Sequence, residues 1–105
     1  MSELASDKQR TAKDVLNAVI VNAKDELRER GSLLDSHRKI QLTRRILECT
    51  VAIAFLDGGP FVPCEQAVHA LFLRAENDHG NPRFKAREKD CREAFGRLTS
   101  AGVAA

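Results

Sequence analysis

The run from Ser36 to Leu56 contains neither glycine nor proline, and its apolar side chains fall on two opposite sides of a helix. Advancing about 100° per residue gathers Ile40, Leu47, Val51, Ala54 and Phe55 on one side. Leu42, Ile46, Cys49, Ile53 and Leu56 fall on the other, with a polar edge of Gln41, Arg44, Arg45 and Glu48 between the two groups. An outer helix of a monomeric bundle needs a single apolar side, so this one has to be shielded on both. In one arrangement the other helices of the chain supply both covers, as around the central helix of a small bundle. In the other, one side meets a second copy of the chain, two-fold homodimers being the commonest oligomers; the reading favours this dimer. Thr50-Val51-Ala52-Ile53 is rich in β-branched residues, but a lone strand has nothing to pair with in an otherwise helical chain.

Three further segments have helical spacing. Ala12, Val15, Leu16, Val19, Ile20, Ala23 and Leu27 form one stripe. Ser6 and Gln9 offer a capping box at its start, or Ser2 caps a longer version that adds Leu4 and Ala5, and Gly31 is expected to end it in a left-handed conformation. Asp35 or Ser36 caps the second helix, and Asp57-Gly58-Gly59-Pro60 stops it. Pro63 suits the first turn of a third helix with the stripe Cys64, Ala67, Val68, Leu71, Phe72 and Ala75, closed by Gly80. Asn81-Pro82 opens a fourth, with Phe84, Cys91, Ala94, Phe95 and Leu98 on one side and the pairs Glu88/Arg92 and Glu93/Arg97 on its exposed surface. The expected architecture is an all-α, four-helix single domain over residues 1–105, with helices near 6–30, 36–56, 63–79 and 82–99 and a small-residue tail that frays from Thr99.

A chain of 105 residues has room for one core. Its 43% hydrophobic and 30% charged residues suit a globular protein, and a net charge of +2 says little about partners. Cys49, Cys64 and Cys91 are odd in number and widely spaced, which argues against a disulfide framework and for a reducing, cytoplasmic setting. The segment Met1 to Lys13 has no apolar core of the kind a secretion signal needs, and no apolar run nears the ~20 residues of a membrane span. Tyr and Trp are absent, leaving five Phe as the large aromatics.

Catalytic and metal chemistry find little support. Glu76-Asn77-Asp78-His79 matches the Glu-x-x-His element of di-metal helical bundles, but such a site needs that element twice, with two further carboxylates. Cys64 lies near a helix start, where a thiol can be activated, yet His69 five residues on points to a different side. Gly58-Gly59-Pro60 is not a phosphate-binding loop. No enzyme activity, cofactor or metal is expected.

Nucleic-acid binding is the alternative reading. Arg38, Lys39, Arg44 and Arg45 form one basic cluster, and Lys85, Lys89 and Arg92 another. Against it stand the interleaved Glu88, Asp90 and Glu93, the missing Tyr and Trp for base stacking, and an acidic third helix where a recognition helix would sit.

Apolar residues outside the stripes add a protein-binding signal: Val21 lies opposite the first stripe, Leu73 opposite the third, and Phe61-Val62 sits in the Gly/Pro loop. Phe61 is either an interface anchor or a plug folded over the bundle end. With Leu42, Ile46, Ile53 and Leu56 from one side of the second helix, these residues make up the expected protein-contact set. In size, helical character, the two-sided segment Ile40–Leu56 and the Phe61-Val62 loop, the chain resembles the small bacterial antiactivators of quorum sensing. That resemblance implies a dimeric helical protein that binds the ligand-binding domain of a LasR-type transcriptional activator and lowers transcription without touching DNA.

Overall fold

The structure, a computed structural model, describes residues 11–104, with side chains through residue 101. Four α-helices account for most of it: α1 (Ala12–Arg30), α2 (Ser36–Leu56), α3 (Glu65–Asp78) and α4 (Lys85–Ala104). The expected all-α, four-helix character is what the chain shows, and none of these helices is long and apolar enough to cross a membrane. α1 packs along α2 and α3 along α4, giving two helical hairpins, and α3 joins them by lying against both α1 and α2.

Helix starts are set by short polar side chains. Thr11 caps α1, its Oγ1 accepting from the Asp14 N–H at 3.1 Å; the Ser6/Gln9 and Ser2 expectations lie outside the described residues. Asp35 caps α2 by accepting from the Arg38 N–H at 2.8 Å. α3 begins at Glu65, two residues after Pro63; its N-cap Cys64 has non-helical dihedrals (φ −146°, ψ 72°) and makes no side-chain cap hydrogen bond. The acceptor comes from α2 instead: Glu48 takes the Gln66 N–H at 2.8 Å. α1 is served in the same way from α4, whose Asp90 carboxylate accepts the Ala12 N–H. Two helix N-termini are thus capped across the tertiary structure, where dipole and orphan N–H groups both favour an anion.

The ends differ from expectation in three places. Gly31 is right-handed (φ −54°) and continues α1 into a 3-10 turn, Gly31–Leu33, closed by the Leu34 N–H on the Gly31 carbonyl at 3.3 Å. Left-handed glycine appears at Gly58 (φ 101°), where Gly58 and Gly59 donate to the Phe55 and Ala54 carbonyls at 2.9 and 2.8 Å and close α2 in a Schellman motif. α3 stops at Asp78, because His79 (φ −58°, ψ 130°) and Gly80 (φ 80°) make a type II turn with the Asn81 N–H on the Asp78 carbonyl at 3.0 Å. Asn81 then caps the 3-10 turn Pro82–Phe84 that leads into α4. α4 does not stop near Thr99: its helical backbone runs to Ala104, through a stretch with no proline and several alanines.

The core is built from a few leucines and many small residues. Leu16, Leu71 and Leu98 are buried with Cys49, Cys64, Cys91 and the alanines at 12, 52, 67, 75 and 94. Leu42 and Ala23 are also buried. Small side chains let the hairpins approach closely, but larger ones such as Val15, Ile53, Phe55 and Phe95 remain only half-buried at the edge.

This settles the two-sided helix in part. Leu42 (1% exposed) and Cys49 face inward, with Ile53 and Leu56 packed beside the core. On the other side Ile40 and Leu47 are 60% and 62% exposed and Ala54 is exposed as well. The chain therefore shields one side of α2 and leaves the other open. Val51 and Phe55 belong to neither extreme; both are half-buried, Phe55 because its ring meets Phe61 edge-on at 5.5 Å.

Candidate interaction surfaces

α3, α4 and the loop before α3 enclose an open apolar groove of about 430 Å³. Phe61, Val68, Phe72, Phe95 and Leu98 form its walls, with Glu65 and His69 among its polar lining residues. Phe72 and Phe95 lie 5.9 Å apart between ring centroids, and Phe72 is substantially exposed although its sequence stripe pointed to the core. The reason is geometric: α3 turns Ala67, Leu71 and Ala75 inward, so Val68 and Phe72, one residue further round, reach only the rim. A second groove, about 380 Å³, runs between α1 and α3 and is lined by Val15, Ala18, Val19, Ala70 and Leu73 with Arg74 among its polar neighbours.

The expected protein-contact residues do not form one surface. Leu42 belongs to the interior, and Ile53 and Leu56, half-buried, pack beside the core, because the side of α2 that carries them faces the other helices. Ile46 is half-buried. Phe61 folds back on Phe55, as the plug reading expects, and at the same time lines the larger groove. Val62 is exposed on that loop, Leu73 lines the smaller groove, and Val21 is exposed on α1 but lines neither. Sequence reasoning did not single out Ile40 and Leu47 as the exposed apolar residues of α2, or Val68, Phe72 and Phe95 as groove walls.

Most arginines of the basic clusters are occupied. Arg38 holds Glu26 through two hydrogen bonds of 2.9 and 3.0 Å and Gln41 through a third, and Arg44 pairs with Glu48 at 3.3 Å. Arg45 reaches Gln66 at 3.4 Å. Arg92 pairs with Glu88 at 2.9 Å and Glu76 at 3.3 Å. Lys39, Lys85 and Lys89 are exposed. The expected Glu88/Arg92 pair is present, whereas Arg97 instead donates to the Leu56 carbonyl at 3.4 Å and lies over the Phe55 ring.

The reactive side chains are otherwise engaged. Burial pushes the Cys49 and Cys91 thiols up to about 11 and raises Cys64 as well, the opposite of nucleophile activation. His79 meets Glu88 at 3.0 Å while Glu76 turns to Arg92, so the Glu-x-x-His element is tied to α4. Among the described residues no cluster of three His, Cys, Asp or Glu side chains is placed to hold a metal ion. No protein family, no curated protein and no solved structure matches this chain.

Proposed function

We propose that this chain is a small regulatory module of the cytoplasm that binds another protein through apolar surface and holds it inactive, acting as a homodimer. The observation that carries the reading is the groove walled by Phe61, Val68, Phe72 and Phe95, an open apolar channel with aromatic anchors and few polar groups. Such channels receive an apolar helix face or side chain of a partner, with rim charges such as Glu65 selecting it. The partner class implied by the resemblance is a LasR-type transcriptional activator, engaged on its ligand-binding domain. Direct nucleic-acid binding is the weaker reading, because the carboxylates that occupy Arg38, Arg44 and Arg92 cancel charge that would otherwise meet phosphate.

Titrating the purified chain with the isolated ligand-binding domain of such an activator tests the proposal. Saturable binding that Phe72→Ala weakens by tenfold or more supports it. Absence of binding, together with a salt-sensitive shift of a DNA or RNA fragment, overturns it in favour of the alternative.

A further inference from the structure

Two opposite charges line the groove between α1 and α3 without meeting. Asp14 of α1 and Arg74 of α3 are both half-buried there, and no ion pair joins them. Thr11 holds Asp14 at the first turn of α1, its hydroxyl donating to Oδ2 at 2.6 Å, which leaves Oδ1 over. Among the described residues Arg74 makes neither a hydrogen bond nor an ion pair, whereas Arg28, Arg38, Arg44, Arg87 and Arg92 each hold a carboxylate. A guanidinium drawn partly out of water without a counter-ion is unfavourable, and an incoming carboxylate relieves that.

The groups around these charges have hydrogen-bonding capacity left. The side-chain amides of Asn22 and Asn77 line the groove and make no hydrogen bond within the described residues. Arg87 lines it too: Asp78 takes its Nε and Nη2 at 2.6 and 2.7 Å, and Nη1 has no partner among the described residues. Val15, Val19 and Leu73 add apolar wall, Leu73 being 45% exposed. The volume, about 380 Å³, suits a small molecule rather than a chain segment.

We infer that this groove binds a free α-amino acid with an apolar side chain. The carboxylate of the ligand lies against Arg74, with Arg87 Nη1 as a further donor, its ammonium meets Asp14, and its side chain rests on Val15, Val19 and Leu73. Charge decides the class. Asp78 neutralises Arg87, so one positive and one negative group remain for a ligand to match, and a zwitterion matches both. A plain carboxylate would face Asp14 uncompensated, and a plain amine would face Arg74. The inference goes beyond the proposed partner binding, which uses the groove between α3 and α4.

Nitrogen–proton correlation spectra of the full chain at constant pH, read at the Asn22 and Asn77 side-chain amides, provide the test. L-leucine shifts these signals saturably. Glycine, isocaproate and isoamylamine, which lack in turn the apolar side chain, the ammonium and the carboxylate, bind at least tenfold more weakly. Arg74→Gln and Asp14→Asn each weaken leucine by tenfold or more, with helix content by circular dichroism unchanged. In Asp14→Asn the gap between leucine and isocaproate closes, and in Arg74→Gln the gap between leucine and isoamylamine does, which a merely structural role of either residue would not produce.

No saturable shift with leucine overturns the site. Isocaproate or isoamylamine binding the unaltered chain as tightly as leucine overturns the zwitterion, and this comparison decides even where a variant fails to fold. Full leucine affinity in a folded Asp14→Asn or Arg74→Gln chain overturns the assigned contacts. Activator binding is unaffected by any of these results, so the two readings fail separately.

Discussion

The Asp78 carboxylate accepts two hydrogen bonds from the Arg87 guanidinium, 2.7 and 2.6 Å long, with Asp78 only 2% and Arg87 8% exposed. The guanidinium also lies 4.1 Å from the centre of the Phe84 ring. The pair spans the turn between α3 and α4, so it fixes the hairpin whose two helices form the apolar groove.

Removing one member strands the other charge out of water. Asp78→Ala is expected to cost roughly 3–5 kcal/mol, and the paired replacement Asp78→Leu with Arg87→Met to recover most of it, because a well-packed apolar pair avoids the desolvation cost. Urea unfolding of the unaltered chain and of these two variants checks both expectations. A double variant no more stable than the single one would mean that the hydrogen-bond geometry, not charge burial, holds the turn.

Glu48 and Asp90 act as N-caps borrowed from other helices. Replacing either by alanine is expected to destabilise the fold by about 0.5–2 kcal/mol, in the range of ordinary cap losses. Amide exchange adds the location: Glu48→Ala speeds exchange at the first turn of α3, and Asp90→Ala at the first turn of α1.

The three cysteines are buried, and the shift of Cys49 and Cys91 to about 11 keeps those thiols protonated at neutral pH. A chromogenic disulfide reagent is therefore expected to label them only as fast as the chain opens, and to label all three at once in urea. Rapid labelling of one thiol in the native state would identify an accessible nucleophile and reopen the enzymatic reading.

Acid should weaken the fold through Glu26 and Glu88. The Arg38 hydrogen bonds hold Glu26 below its ordinary value, and the His79 ring, followed by Arg92, does the same for Glu88. A carboxylate whose value is lower in the folded state contributes stability that is fully present above the unfolded value and is lost as pH falls through the folded one. Between the ordinary carboxylate range and neutral pH these two carboxylates should leave the unfolding midpoint unchanged, below that range it should fall, and Glu26→Gln with Glu88→Gln should flatten that decline.

Much of the fold is legible in the residues themselves. The four stripes, the Asp35 cap, the Gly58 stop and the Asn81-Pro82 start all depend on local chemistry, and the structure contains each of them. Contacts between distant segments are not legible in this way. Nothing near Gln66 or Ala12 announces Glu48 or Asp90, and no local pattern pairs Asp78 with Arg87 before the turn brings them together. The exposed apolar surface was harder still. Spacing separates the two sides of α2 but does not say which faces inward; the small Cys49 and Ala52 lie at the interior, while the larger Leu47 is outside. The α3 stripe likewise spans more of the helix circumference than the core receives, so Val68 and Phe72 became groove walls.

The central claim is that the apolar groove between α3 and α4 receives another protein. Titrating the unaltered chain and Phe72→Ala with the isolated ligand-binding domain of a LasR-type activator tests it most directly. The account predicts saturable binding by the unaltered chain that the variant weakens by tenfold or more. No saturable binding by the unaltered chain would contradict it.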